Sequence, residues 1–387
     1  MAVDAENVQT ILACLLMCEK FPRIVLKNAG IFPTKERIML STLWNATYLY
    51  GHDRNKICLL RRTKFLLRAL IQLPHSAQWF RFLQEQPELA AALPQQRQWL
   101  HKLQRPYLCA DYDSHNKLQL LHQHFSLFLE RLPAALRSSL LQNQVLRMAS
   151  IAGKSGMRYH IKLSLTQTMD KEGELMLTLE EESSRYHLAT LAFSFGTDQE
   201  KMARIYIGCL QGPRHQGGRE HFRAVTKDLH GLMPKVLLMK ALYALARPMG
   251  IDTVLAVSNR SHVHQAAWHR YTAIQADYDA FWMMLGGCRL NDRHFQLKTS
   301  GIERPLADIP ANKRAQYQRR RELEHSIAQQ FTAFWPAAQE VNSAQAANCS
   351  IPAGSAASGA DCADLCSNSR PLSPQTSPGH EVVLRLA

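Results

Sequence analysis

One stretch of this chain joins chemistry-bearing residue types at a telling spacing: Ile205-Tyr-Ile-Gly-Cys-Leu-Gln-Gly212-Pro-Arg-His-Gln-Gly-Gly-Arg219. A β-type apolar run, 205–210, opens into a loop of glycines and cations. Glycine lets a ligand approach the backbone, and free N–H groups followed by positive charge suit an anion. A second such place is His230-Gly231-Leu-Met-Pro-Lys235, with Lys227 just before it and an Ala/Leu-rich stretch just after. Each reads either as a phosphate cradle or as a turn that caps a helix. No Ser-His-Asp, Walker or finger-type Cys/His pattern competes. Cys362-x-x-x-Cys366 has no matching His/Cys pair nearby, so no metal is expected.

Composition narrows the partners. The 387 residues carry 46 Lys and Arg against 32 Asp and Glu, a net +14, with 17 histidines besides. A basic protein favours anionic partners, among them phosphorylated small molecules, anionic lipid surfaces and nucleic acid. Nine scattered cysteines, an odd number, argue against a disulfide framework and for a reducing compartment. The apolar run 11–18 lacks a cationic flank, so it is not read as a secretory signal. No stretch approaches the roughly 20 apolar residues of a membrane span. The expected location is therefore cytoplasmic, including the periphery of the inner membrane.

Periodicity supplies the elements. Leu59, Phe65, Leu66, Leu70 and Leu73 fall near helical spacing, with Arg61, Arg62, Lys64 and Arg68 among them. Leu118, Leu121, Phe125, Phe128 and Leu132 make a second helical stripe. From about 155 the period becomes two: 159–165, 175–179, 187–195 and 204–210 read as strands in series, joined by turns such as Lys171-Glu-Gly173. Helices follow at 220–229 and from Pro234, whose missing N–H suits a first turn. Then come a strand at 251–257, a helix at 278–285 stopped by Gly286-Gly287, and a strand at 293–300. Lys313, Tyr317, Arg320 and Arg321 would share a basic face on a late helix. Beyond 337 the chain is rich in Ala, Ser, Pro and Gly, and disorder is expected there.

This order resembles the GNAT acyltransferase fold over about 130 residues. The carrying segments are Leu237 through Asn259 and Phe281-Trp-Met-Met-Leu-Gly-Gly287. A closer resemblance, over roughly 100–325, is to the bacterial VirK/YbjX family. It rests on Ile207-x-x-Leu-Gln-Gly212, Thr226-Lys227, His230-Gly-x-x-Pro-Lys235, Val257-Ser-Asn259, Tyr278-Asp-x-Phe-Trp282, Leu285-Gly-Gly287 and Asn312-Lys-Arg-x-x-Tyr317. The family resemblance implies a role in the envelope, virulence or antimicrobial-peptide resistance of Gram-negative bacteria, with envelope or surface proteins as partners. With the periodicity and composition above, the expected chain is α+β: a helical basic domain at 1–150, a GNAT-like mixed, mostly antiparallel sheet flanked by helices at 151–336, and a disordered low-complexity tail at 337–387.

The GNAT resemblance also implies a cofactor, acyl-CoA, whose pyrophosphate is held between the fourth strand and the next helix. Arg214-His-Gln-Gly-Gly-Arg219 nearly matches the usual loop, with arginine at the last small position. The 230–235 turn is favoured, because its helix precedes the 251–257 strand; Gly212, Lys227, Gly231 and Lys235 are the expected binding residues. Acyl transfer needs a base and a proton source for the leaving thiolate. His230, Asn259 and Tyr278 are the catalytic candidates, with His262 and Tyr271 nearby; Tyr278 is equally readable as a packing aromatic. The alternatives are a non-enzymatic envelope or membrane-surface factor with a degenerate site, and, least favoured, a nucleic-acid-binding protein.

Overall fold

The structure is a computed structural model, and it describes residues 56–213, 218–265, 276–300 and 305–335. The apolar run 11–18, most of the loop at 214–219, Tyr271 and the tail expected beyond 337 lie outside the described residues. The described residues belong to one compact unit that ends at Trp335.

Helices lead. They are α1 (Lys56–Ile71), α2 (Leu73–Glu85), α3 (Pro87–Ala92), α4 (Ser114–Arg131) and α5 (Ala134–Leu141). Asp113 caps α4 by accepting the Asn116 N–H at 2.8 Å. The apolar stripe of α4, including Leu118, Leu121, Phe125 and Phe128, is buried, which is why this segment holds as a helix. His124, on the same helix, accepts the Phe195 N–H at 3.0 Å and stacks on the Phe195 ring. Helical segment and sheet thus share one core.

Among the described residues the sheet has eight strands, in the order β1-β2-β3-β4-β5-β6-β8-β7. They are β1 (Leu146–Ala152), β2 (Arg158–Leu165), β3 (Leu175–Glu181), β4 (His187–Thr197), β5 (Ala203–Gln211), β6 (Thr253–Val257), β7 (Cys288–Arg289) and β8 (His294–Lys298). Every pairing is antiparallel except β5 with β6. A parallel pair needs a crossover. Here it carries α6 (Gly218–Asp228) and α7 (Pro234–Ala246). Between β6 and β7 stands α8 (Tyr278–Met284), and α9 (Ala311–Thr332) closes the described fold. The central strands are buried along nearly their whole length, as in a sheet covered on both faces. The expected α+β class, with a mixed, mostly antiparallel sheet flanked by helices, holds. The sheet begins earlier than the sequence suggests, because β1 starts within the segment read as helical and runs just past its end.

Two features of β5 shape its seam with β6. Ala192 pairs with Cys209 and Phe193 with Ile207, so Gly208 is the extra residue of a bulge. The parallel ladder with β6 runs from Ile205↔Val254 to Ile207↔Ala256 and ends at that bulge. Trp282 of α8 fills the seam beyond it, fully buried, and donates its indole N–H to the Val257 carbonyl at 2.9 Å.

Candidate functional site

A polar cluster occupies this seam. The bulge turns Cys209 toward α8, and its Sγ lies 3.1 Å from the Tyr278 hydroxyl. That hydroxyl also meets the backbone N–H of Leu210. Burial pushes Tyr278 well above the ordinary phenol value, and pushes the Cys209 thiol up to about 12. Both groups are therefore neutral near pH 7, and Tyr278 retains a proton to give.

Two histidines extend the cluster. The His262 ring stacks on Tyr278 at 5.1 Å, and the His264 ring stacks on His262 at 5.3 Å. His264 Nε2 lies 3.0 Å from Glu172 Oε1. His262 Nδ1 accepts the His264 backbone N–H at 3.2 Å, while its Nε2 has no partner among the described residues. Burial pushes His262 down to about 4, so the ring is neutral and its proton sits on that unpartnered Nε2. A buried donor left unpaired costs about 1–3 kcal/mol, a cost that a bound acceptor would remove.

Lys235 stands in the first turn of α7, held below the ordinary lysine value by burial, with Cys209 acting the other way. A methyl placed on Gly212 would lie 3.3 Å from Lys235 Cε and 3.9 Å from its Nζ. The ammonium therefore covers the backbone where β5 ends. The cluster holds a neutral phenol, a neutral imidazole with a free N–H, a thiol, a carboxylate–histidine pair and a cation at a helix N-terminus. They suit proton delivery beside a bound anion.

The expected site residues divide into groups. Gly212, Lys235 and Tyr278 come together at the end of β5. Asn259 stands one step back. Its Nδ2 donates to Asp277 Oδ1 at 2.8 Å, its Oδ1 accepts the Tyr278 N–H at 2.7 Å, and its own N–H donates to Asp279 Oδ1 at 2.7 Å. It ties the start of α8 to the end of β6 and so orients Tyr278. His230 and Gly231 form the C-terminal corner of α6. Gly231 donates to the Thr226 carbonyl at 2.7 Å, with φ of +76° there and +53° at His230. The corner offers carbonyls: His230 O accepts from Gln316 and Arg320, each at 2.7 Å, and Gly231 O from Arg320 at 3.0 Å. The negative end of a helix met by a guanidinium is no anion cradle. Lys227 is exposed on the last turn of α6. Arg320, expected on a free basic face, is spent on this corner.

Sequence reasoning passed over Glu172, read only as part of a turn, and assigned no role to Cys209 or His264. The available signal was Gly208-Cys209 in a strand that opens into a loop. Among the described residues, no group of three or more His, Cys, Asp or Glu is placed to hold a metal. No described helix is long and apolar enough to cross a membrane.

The family model described as a protein of unknown function (DUF535) matches residues 55–333, and the chain belongs to that family. The uncharacterized protein YbjX of Escherichia coli is 33% identical over 276 residues, covering 71% of this chain and 83% of that protein. The membrane protein LapB of Mannheimia haemolytica is 23% identical over 215 residues, covering 56% of this chain and 90% of that protein. The VirK/YbjX resemblance is therefore one of family. Among solved structures, a mutant cAMP-binding acyltransferase from Mycobacterium smegmatis aligns over 52% of this chain and 62% of that one. Its identity is 10% and its TM-score 0.26, too loose a likeness to argue from.

Proposed function

We propose that this member of the DUF535 family is an acyltransferase of GNAT-like design that acts on an envelope-related amine, with an acyl-CoA-type thioester as donor. The observation that carries the reading is the Tyr278 hydroxyl lodged beside Cys209 and the Leu210 N–H, where β5 parts from β6. Tyr278 is the proton donor to the leaving thiolate: the amine nitrogen bonds to the acyl carbon as the C–S bond breaks, the phenolic proton passes to sulfur, and the proton given up by the amine nitrogen restores the phenol. The neutral state imposed by burial keeps that proton available. Lys235, Gly212 and the N-terminus of α7 receive a phosphate of the donor. Asn259 is a positioning residue. The membrane protein LapB among the relatives supports the envelope setting, with the periphery of the inner membrane as the place of action.

The test is a thermal-shift titration with coenzyme A, acetyl-CoA and a long-chain acyl-CoA, followed by thiol release with amine acceptors. Saturating donor at about 100 times its Kd should stabilise by about 2.7 kcal/mol. That is a rise of roughly 5–10 °C in a domain of this size. Lys235→Glu should abolish the rise. Tyr278→Phe should keep it but slow thiol release by about 10²–10⁴. No CoA response, or one untouched by Lys235→Glu, removes the enzymatic reading. The chain would then act as a non-enzymatic envelope factor, for which vesicle flotation is the assay.

A further inference from the structure

A second feature lies apart from this seam. A cavity of about 620 Å³ opens between α1, the 97–105 segment and the turn leading from β2 to β3. Arg61, Lys64 and Arg68 fall at i, i+3 and i+7 on α1, so they share the face that lines it. Arg105 lines it from across the gap. The single carboxylate in the wall is Asp170, which is already paired with Arg105. Arg61 and Lys64 are exposed, and neither has a hydrogen bond or ion pair among the described residues. Four cations around one cavity repel each other, and the arrangement is relieved when an anion enters.

The rest of the lining narrows the ligand. Phe65 and His101 stack at 4.5 Å, both buried, and form a flat floor. Gln98, Gln167 and Thr168 add neutral donors and acceptors. Guanidinium forks match phosphate oxygens two at a time. A volume of this size accommodates a phosphate with a sugar-sized body attached. We propose that this cavity binds the phosphate of a phosphorylated, hydroxyl-bearing ligand, either a free phosphate ester or a membrane headgroup. The site is independent of Lys235 and of the transfer chemistry at Tyr278.

The test uses the full chain in calorimetric titrations with glucose 6-phosphate, glucose and inorganic phosphate. Sedimentation with phosphatidylglycerol or phosphatidylcholine vesicles runs alongside. Glucose 6-phosphate should bind, more weakly as salt rises, and glucose should not. Arg61→Ala with Lys64→Ala should weaken binding at least tenfold with an unchanged melting temperature, since both side chains are exposed and unpaired. Removing the same charge from α9 by Lys313→Ala with Arg319→Ala should leave binding intact, and so should Lys235→Glu. Co-sedimentation with anionic vesicles alone, lost in the α1 variant, identifies a headgroup as the source; binding of the free ester without vesicle binding identifies a soluble one. Absence of binding by every phosphate probe overturns the proposal. Equal losses in the α1 and α9 variants overturn it too, because they would report bulk charge.

Discussion

Replacing Lys102 by methionine tests how the two sites are held in place. Lys102 and Glu174 form an ion pair of 2.8 Å with side chains 4% and 1% exposed. The same ammonium donates to the Asp170 carbonyl at 2.6 Å. Burial raises the Glu174 carboxyl, while Lys102 holds it down. Lys102→Met strands a buried carboxylate, which costs about 3–5 kcal/mol. At about 2–4 °C per kcal/mol, the melting temperature should fall by about 6–20 °C at pH 7. The sign with pH comes from the raised value. Stability from such a group is fully present below its unfolded value, near 4.3, and is lost as pH rises through its folded value. Without Lys102 the folded value is higher still, so the gap between variant and parent should be widest at pH 7–8 and should narrow toward pH 5. Adding Glu174→Gln removes the stranded charge and should recover most of the loss. Urea unfolding at pH 5, 6, 7 and 8 reads all three quantities. A single variant within about 1 kcal/mol of the parent at pH 7, or a double variant no more stable than the single, would refute the reasoning.

Gly208→Ala should be among the most damaging small substitutions, since its methyl would stand 2.0 Å from the Glu172 carbonyl oxygen. A loss of about 3 kcal/mol or more is expected, and melting close to the parent temperature would count against the bulge geometry. Asn259→Ala removes the two hydrogen bonds that fix the start of α8 and should lower kcat of the thiol-release assay with KM little changed; the reverse split would place Asn259 in donor binding instead. Acid should destabilise well above the usual carboxylate range. Burial pushes His124 down to about 3, and His262 and His294 down to about 4. Depressed values mean stability present above pH 6.5 and lost as pH falls toward 4, roughly 4–6 kcal/mol by pH 5 for the three together. Urea midpoints that stay flat from pH 7 to pH 5 would contradict this, and His124→Gln should remove part of the slope.

The alternating strands and the stripes of α1, α4 and α7 are legible because each depends on local period. β1 is not: its register shifts between Arg147 and Ala149, so the inward face changes within Leu146–Ala152 and the alternation breaks. β7, with two residues, is too short to show any period. Tyr278 is legible as a site candidate because it follows the β6 strand at the distance a returning helix needs. The His230-Gly231 turn misleads for a physical reason. Glycine beside lysine reads as an anion loop, yet two successive residues at positive φ end α6 and aim carbonyls outward, toward Arg320. Glu172 and Cys209 escape because their meeting depends on a register between segments far apart in sequence, and no local pattern encodes it.

The turn from β2 to β3 shows how such a meeting is organised. Asp170, Glu172 and Glu174 stand at every second position, and each carboxylate faces a different cation or histidine: Arg105 at the basic cavity, His264 in the seam, and Lys102 in the core between. The turn lies flat on the sheet because Gly208 has no side chain beneath the Glu172 carbonyl, and it is anchored from the helical side where Leu108 donates to the Lys171 carbonyl at 2.7 Å. One five-residue segment therefore sets the wall of the cavity and the acidic end of the seam at once. An anion that drew Arg105 away from Asp170 would act on the same backbone that presents Glu172 to His264. Lys102 decides whether that backbone yields, because its ammonium grips both the Asp170 carbonyl and Glu174. With Lys102 present the two sites are set by one rigid piece of chain, and occupancy of the cavity should leave the seam unmoved. In Lys102→Met, which frees the turn, glucose 6-phosphate should alter the rate of thiol release, and a rate indifferent to the ester in both proteins would show that the two sites are not joined through this turn.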